Sequence, residues 1–247
     1  MTVRRGARAV AVVVAAASAL LATGCSIGPL GSGEPLEPLP PGVMPDGWAD
    51  GGPPESDDTT VAAFYGDSYT RGTGASDVSS RWSTIVCDER GWTEFNPSVD
   101  GLGFVSNRDF LPPDGDLVDR IVELEPEPDI VIVTMGLNDN FSLPDRADEL
   151  RAAIDRDIAA LADELPDARL VVVEPFWYTD ERPASVDEIN GWVADAAARV
   201  GAEHIAGASR WIEGHPEWMA ADGIHPNDEG YAEIARRMDE ELDRLGL

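Results

Sequence analysis

The sequence predicts an α/β fold: a three-layer α/β/α sandwich around a mostly parallel central sheet of about five strands. Two observations carry this. Short apolar, β-branched runs alternate with amphipathic helical patterns from residue 60 to the C-terminus, the signature of strand–helix–strand units. Two of the runs, Asp129–Met135 (DIVIVTM) and Arg169–Glu174 (RLVVVE), are apolar without a break. Such runs imply strands covered on both faces, as in a parallel sheet.

The 247 residues divide into three parts. Residues 1–24 read as a signal peptide: Arg4, Arg5 and Arg8 precede fourteen uncharged residues, Ala9 to Ala22. That run is too short to cross a bilayer as a helix and suits a signal-peptide core. Leu21-Ala22-Thr23-Gly24-Cys25 resembles a bacterial lipobox, with Ala22 where Leu is usual. The resemblance implies lipidation of Cys25 and a lipid-anchored partnership with the membrane; the alternative is an ordinary secretory signal. Either way the protein is expected to be exported, to the outer face of the bacterial cell membrane or beyond. Residues 25–58 hold 8 Pro and 7 Gly without periodicity, as expected of a tether reaching roughly 30 Å. A strap packed on the domain through Trp48 is the other possibility. Residues 59–247 form the folded domain.

Within it, Thr60–Tyr65 reads as the first strand. A helix over Asp77–Arg90 follows, with Cys87 as a small buried apolar residue, and then a strand at Thr93–Asn96. Residues 97–110 look loop-like. Asp116–Glu125 is helical, with Leu117, Ile121 and Leu124 on one face. After strand Asp129–Met135 come helix Pro144–Glu164, strand Arg169–Glu174, helix Val186–Val200, a short strand at His204–Ala206 and a closing helix at Asp228–Leu245.

Composition excludes several functions. There are 47 Asp and Glu against 18 Lys and Arg, for a net charge of −29. Every cation is Arg. Losing residues 1–24 removes three Arg and no acid, bringing the charge to −32. A surface this acidic opposes nucleic acid, whose binding depends on cations meeting phosphates. It also excludes a polybasic membrane anchor, and the absence of Lys excludes Schiff-base chemistry. Two Cys and three His make neither a disulfide framework nor a convincing zinc site, so no metal or cofactor is expected. Nothing in the pattern sets an oligomeric state, and a monomer is the default. Apart from Asp222, the acids are expected mainly on the solvated surface.

Parallel α/β sheets place their chemistry beyond the carboxyl ends of the strands. Four polar or glycine clusters stand there or in late loops: Gly66-Asp67-Ser68, Asp100-Gly101-Leu102-Gly103, Gly136-Leu137-Asn138-Asp139 and Asp222-Gly223-Ile224-His225. Together they suit acyl transfer. A serine needs a base to remove its proton; His225 can supply one, and Asp222, three residues earlier, can orient the imidazole. The backbone N–H groups of Ser68 and Gly101 and the Asn138 amide can hold a tetrahedral oxyanion.

In their order and spacing these blocks resemble the SGNH hydrolases, the GDSL lipase/esterase family, over roughly residues 60–245. The resemblance implies Ser68 as nucleophile, Asp222 and His225 as its triad partners, and Ser68, Gly101 and Asn138 as the oxyanion hole. Gly101 is preferred to Gly103 because Asn96-Pro97-Ser98-Val99-Asp100 resembles the family's approach to that glycine. Tyr69 stands where the short signature usually has Leu. Gly136 and Asp139 are expected to shape the turn that presents Asn138. The implied activity is hydrolysis of a small-molecule or glycan ester, leaning to short acyl groups because no long lid segment is evident. An acyltransferase, a carbohydrate O-deacetylase or a catalytically silent surface lipoprotein are the alternatives. Phe176, Trp177 and Tyr178 are divided between cleft lining and core, whereas His204 and His215 are expected to be structural or superficial.

Overall fold

The computed structural model describes residues 59–111 and 115–247. Residues 1–58, with the signal segment, Cys25, the tether and Trp48, lie outside the described residues. Five strands, β1 (Val61–Tyr65), β2 (Thr93–Phe95), β3 (Ile130–Val133), β4 (Arg169–Val173) and β5 (Glu203–Ile205), form one sheet in the order β2-β1-β3-β4-β5. Every pairing is parallel, with Tyr65 opposite Val133 and Val133 opposite Val172. The helices are α1 (Ser68–Arg71), α2 (Trp82–Arg90), α3 (Leu117–Val122), α4 (Ala147–Glu164), α5 (Ala184–Val200) and α6 (Asp228–Leu245).

Two-residue alternation along each strand divides the core between the faces of the sheet. Ala62, Phe64, Ile130, Ile132, Val171 and Val173 pack with Trp82 and Val86 of α2 and with Tyr231, Ile234, Met238 and Leu242 of α6. Ala63, Tyr65, Val131, Val133 and Val172 pack on the other side with Leu117 and Ile121 of α3, Leu150, Ile154 and Ile158 of α4, and Ile189 and Val193 of α5. The sandwich therefore has three layers, as its sequence predicts. Cys87 is buried, and its burial pushes the thiol well above its ordinary range.

The helix expected over Asp77–Arg90 is interrupted. Asp77 caps a 3-10 turn at Val78–Ser80 by accepting from the Ser79 N–H, and Arg81 is extended before α2 begins at Trp82. The break lets the buried Arg81 guanidinium reach Glu94 in the middle of β2 (2.9 Å) and the Arg71 carbonyl (3.4 Å). Tertiary pairing here outweighs helical propensity. Elsewhere the expected elements form with ends displaced by up to three residues: most are matched or trimmed, α5 begins two residues earlier than expected, and β5 is shifted one residue toward the N-terminus. Asp116, expected as the first residue of its helix, caps α3 through its side chain, and Asn227 caps α6.

Candidate active site

The carboxyl ends of β1 and β3 deliver the first and third clusters to one edge of the sheet. β1 ends at Tyr65, and Gly66 turns the chain where a Cβ would lie 2.5 Å from the hydroxyls of Thr70 and Thr134. Asp67 then caps α1, accepting the Tyr69 N–H at 3.0 Å, so that Ser68 is the first residue of the helix. β3 ends at Val133, and a 3-10 helix at Leu137–Ser142 carries Asn138. The fourth cluster arrives on the loop before α6.

Ser68, His225 and Asp222 meet there. Ser68 Oγ lies 2.9 Å from His225 Nε2, and His225 Nδ1 lies 2.7 Å from Asp222 Oδ2. The other Asp222 oxygen accepts the N–H groups of Ile224 (2.9 Å) and His225 (3.0 Å), so the carboxylate fixes its own loop as well as the imidazole. Partial burial raises the Asp222 pKa, but those two N–H groups and the His225 ring outweigh it and hold the carboxyl below its usual range. A group that ionises so readily suits the orienting role. Ser68 and His225 are 5% and 9% exposed, set at the floor of a cleft.

That cleft, of about 270 Å³, is lined by Ser68, Gly101, Asn138 and His225 together with apolar side chains that include Leu137, Phe141 and Ile224. Gly101 adopts φ +70°, a conformation that favours glycine. Its carbonyl accepts from Asn107 Nδ2 at 2.6 Å. The Asn138 amide donates to the Leu102 carbonyl at 2.9 Å and lies 3.4 Å from Asp67 Oδ2, which orients it beside the nucleophile. Burial lifts the Asp67 carboxyl to about 7 against the pull of the Tyr69 N–H, with the carboxylates of Asp100 and Asp139 adding to the rise.

The rival glycine of the second cluster has a different position. Gly103 backs onto Asp139, whose carboxylate oxygens would stand 2.4 and 2.5 Å from a Cβ there. Asp139 accepts the N–H groups of Phe104 (2.7 Å), Val105 (3.0 Å) and Ser106 (3.0 Å). It thus clamps the neighbouring loop more than the turn that presents Asn138, and Gly103 is small to admit it. Phe176 and Trp177 belong to the core, whereas Tyr178 reaches the cleft. His204 lies on β5, and the exposed His215 stacks on Trp218 at 3.5 Å; neither lines the cleft.

The sequence does not reveal a buried network joining the first two clusters. Arg71, in the last turn of α1, forms an ion pair with Asp100, the residue before Gly101. Thr73 Oγ1 donates to Asp100 at 2.6 Å and accepts from Arg71 at 3.0 Å. Tyr231 of α6 donates to the Thr73 carbonyl at 2.6 Å. The nucleophile's helix, the Gly101 loop and the helix that follows His225 are therefore tied at one buried point. Among the described residues no group of His, Cys, Asp and Glu has the arrangement of a metal site.

Comparison with known proteins bears on the family and the fold. The model of the GDSL-like lipase/acylhydrolase family matches residues 64–233. A GDSL lipase of Mycobacterium tuberculosis is 28% identical over 183 residues, spanning 71% of this chain and 78% of that protein. Among solved structures, a carbohydrate acetylesterase from Sinorhizobium meliloti superposes with a TM-score of 0.57 at 16% identity, over 76% of this chain and 100% of that one. A psychrotrophic esterase from Pseudoalteromonas gives 0.56 at 15% identity, over 75% and 98%. At such identity these two likenesses are of fold.

Proposed function

The chain belongs to the GDSL-like lipase/acylhydrolase family, and on that premise we propose that it is an exported serine esterase working through an acyl-enzyme on Ser68. The observation that carries the proposal is the hydrogen-bonded chain Asp222–His225–Ser68 (2.7 and 2.9 Å) opening onto a cleft that Gly101 and Asn138 also line.

In the first half-reaction Ser68 Oγ attacks the ester carbonyl carbon while His225 Nε2 accepts the hydroxyl proton. The carbonyl oxygen becomes an oxyanion held by the N–H groups of Ser68 and Gly101 and by the Asn138 amide; one such donor is worth about 100- to 1,000-fold in turnover. Collapse breaks the bond to the alcohol oxygen, which leaves with the proton from His225. Water then enters, loses a proton to His225 and attacks the acyl-enzyme. The acid departs as the proton returns to Ser68. Asp222, held ionised, stabilises the imidazolium at both barriers.

The purified protein should hydrolyse p-nitrophenyl acetate and label with a fluorophosphonate, and Ser68→Ala should abolish both. Full activity in that variant would remove Ser68 from the mechanism. Export and lipidation belong to the same proposal and rest on Arg4, Arg5, Arg8 and the Leu21–Cys25 pattern. Cys25→Ser should move the protein from the membrane to the soluble fraction; unchanged partitioning would refute the anchor.

A further inference from the structure

Two large apolar side chains stand exposed among the described residues, Phe141 at 67% and Ile224 at 45%, and both line the cleft that holds Ser68. Single exposed apolar residues are common and need no explanation. Two on the rim of one cleft, in a chain of charge −29, do. We propose that the substrate is an ester apolar on both sides of the scissile bond, with Phe141 seating the acyl group and Ile224 the leaving alcohol.

Local geometry separates the two roles. Side chains three residues apart on a 3-10 helix eclipse one another. Phe141 therefore stands over Asn138, the amide assigned to the carbonyl oxygen, on the helix Leu137–Ser142. Ser185 donates to Asn140 Oδ1 and pins that turn from outside. Ile224 directly precedes His225, whose Nε2 must deliver a proton to the departing alcohol oxygen. Its backbone is held on both sides: its N–H donates to Asp222 (2.9 Å), and its carbonyl accepts from the Tyr69 hydroxyl (2.6 Å). With the main chain fixed, the side chain is committed to the rim beside the leaving group. Leu137, Tyr69 and Tyr178 line the same cleft.

Size narrows the substrate further. At about 270 Å³ the cleft lies at the small end of ligand pockets. The ester and a short alkyl chain on each side fill it. An acetyl group ends one carbon from the carbonyl and offers Phe141 less apolar contact than a longer acyl chain, and a sugar alcohol would set hydroxyls against Ile224. The cleft thus moves the expected substrate from a glycan ester to a neutral ester with a short alkyl chain on each side.

The inference rests on the esterase reading, and its test keeps the two apart. The full-length protein is assayed on p-nitrophenyl esters from acetate to decanoate, on acetates of alcohols from ethyl to octyl, and on a peracetylated sugar. Expected is a rise of about tenfold in kcat/KM from acetate to butyrate, with a similar rise from ethyl to butyl along the alcohol series and no further gain for the longest chains. Phe141→Ala should flatten the acyl series and Ile224→Ala the alcohol series, while Phe141→Leu and Ile224→Val restore most of each slope. Slopes that are flat in the wild type, slopes unmoved by either variant, or a sugar acetate preferred to hexyl acetate would overturn the inference. Absence of Ser68-dependent turnover on any ester would instead refute the esterase reading itself.

Discussion

The buried tie between Arg71 and Asp100 leads to a prediction that separates positioning from folding. Asp100→Asn retains the side chain's size and an acceptor for Thr73 but removes the charge that faces Arg71. Removing one partner of a buried ion pair typically costs about 3–5 kcal/mol. Because the amide keeps one of the hydrogen bonds, the lower end is expected. For a domain of this size each kcal/mol lowers Tm by about 2–4 °C, so the melt should fall by roughly 6–12 °C. The kinetic consequence is separate. Asp100 precedes Gly101, and Arg71 closes the helix that opens at Ser68, so a relaxed tie lets two oxyanion donors drift apart. The limit is the worth of one donor, about 100-fold or more in kcat, with KM little changed because that interaction matures in the transition state.

The assay is steady-state hydrolysis of the best ester, run well below the lowered melting point and paired with a circular-dichroism melt. Arg71→Lys should show the same kcat-weighted defect, since an ammonium lacks the planar fork of a guanidinium. A variant that melts lower yet keeps kcat within about twofold would show that the ion pair supports the fold and does not position Gly101.

Two further predictions concern neighbours of the site. The Asp67 carboxyl is lifted from 3.8 to about 7 by burial, so the folded state retains a proton that the unfolded chain loses, and stability falls as pH rises from about 4 to 7. Asp67→Asn keeps the helix cap and mimics the protonated form; it should match the wild type near pH 4 and be more stable by roughly 2–4 kcal/mol at pH 8, and chemical denaturation showing equal or lower stability at pH 8 would contradict this. Gly103→Ala forces a Cβ within 2.4 Å of Asp139, so urea unfolding should show a loss of about 1–3 kcal/mol, whereas Gly101→Ala should act chiefly on kcat; reversed effects would exchange the two assignments.

What was legible in the sequence follows from where each signal originates. β1, β3 and β4 could be read because a strand covered on both faces has no polar register to obscure it. Helices α4, α5 and α6 could be read because one face of each meets the sheet. The break at Arg81 could not, because its cause is Glu94, on a neighbouring strand. The residues assembled at the site were visible as clusters because strand ends are local in sequence, and so were the caps that aim them. Phe141 and Ile224 were not visible, since an exposed apolar side chain and a buried one look alike until the fold assigns them a side.

The acids show the same limit from the opposite direction. With 47 carboxylates in the chain, those other than Asp222 are most simply placed on the surface, and most pairs seen on the helices fit that: Arg236 with Glu233 and Glu240, for example, is half exposed. Yet Asp67, Asp100, Asp139 and Asp157 are almost wholly buried. Each is there for a stated partner: a helix cap, an arginine, three loop N–H groups, and a tyrosine with Arg108. Burying a carboxylate is unfavourable unless such partners meet it, so these four mark where the chain spends specificity. Three of the four support the loops that carry Ser68, Gly101 and Asn138. The abundance of acid conceals them in the sequence, because composition counts charges and only the fold distinguishes a solvated carboxylate from one that holds a loop.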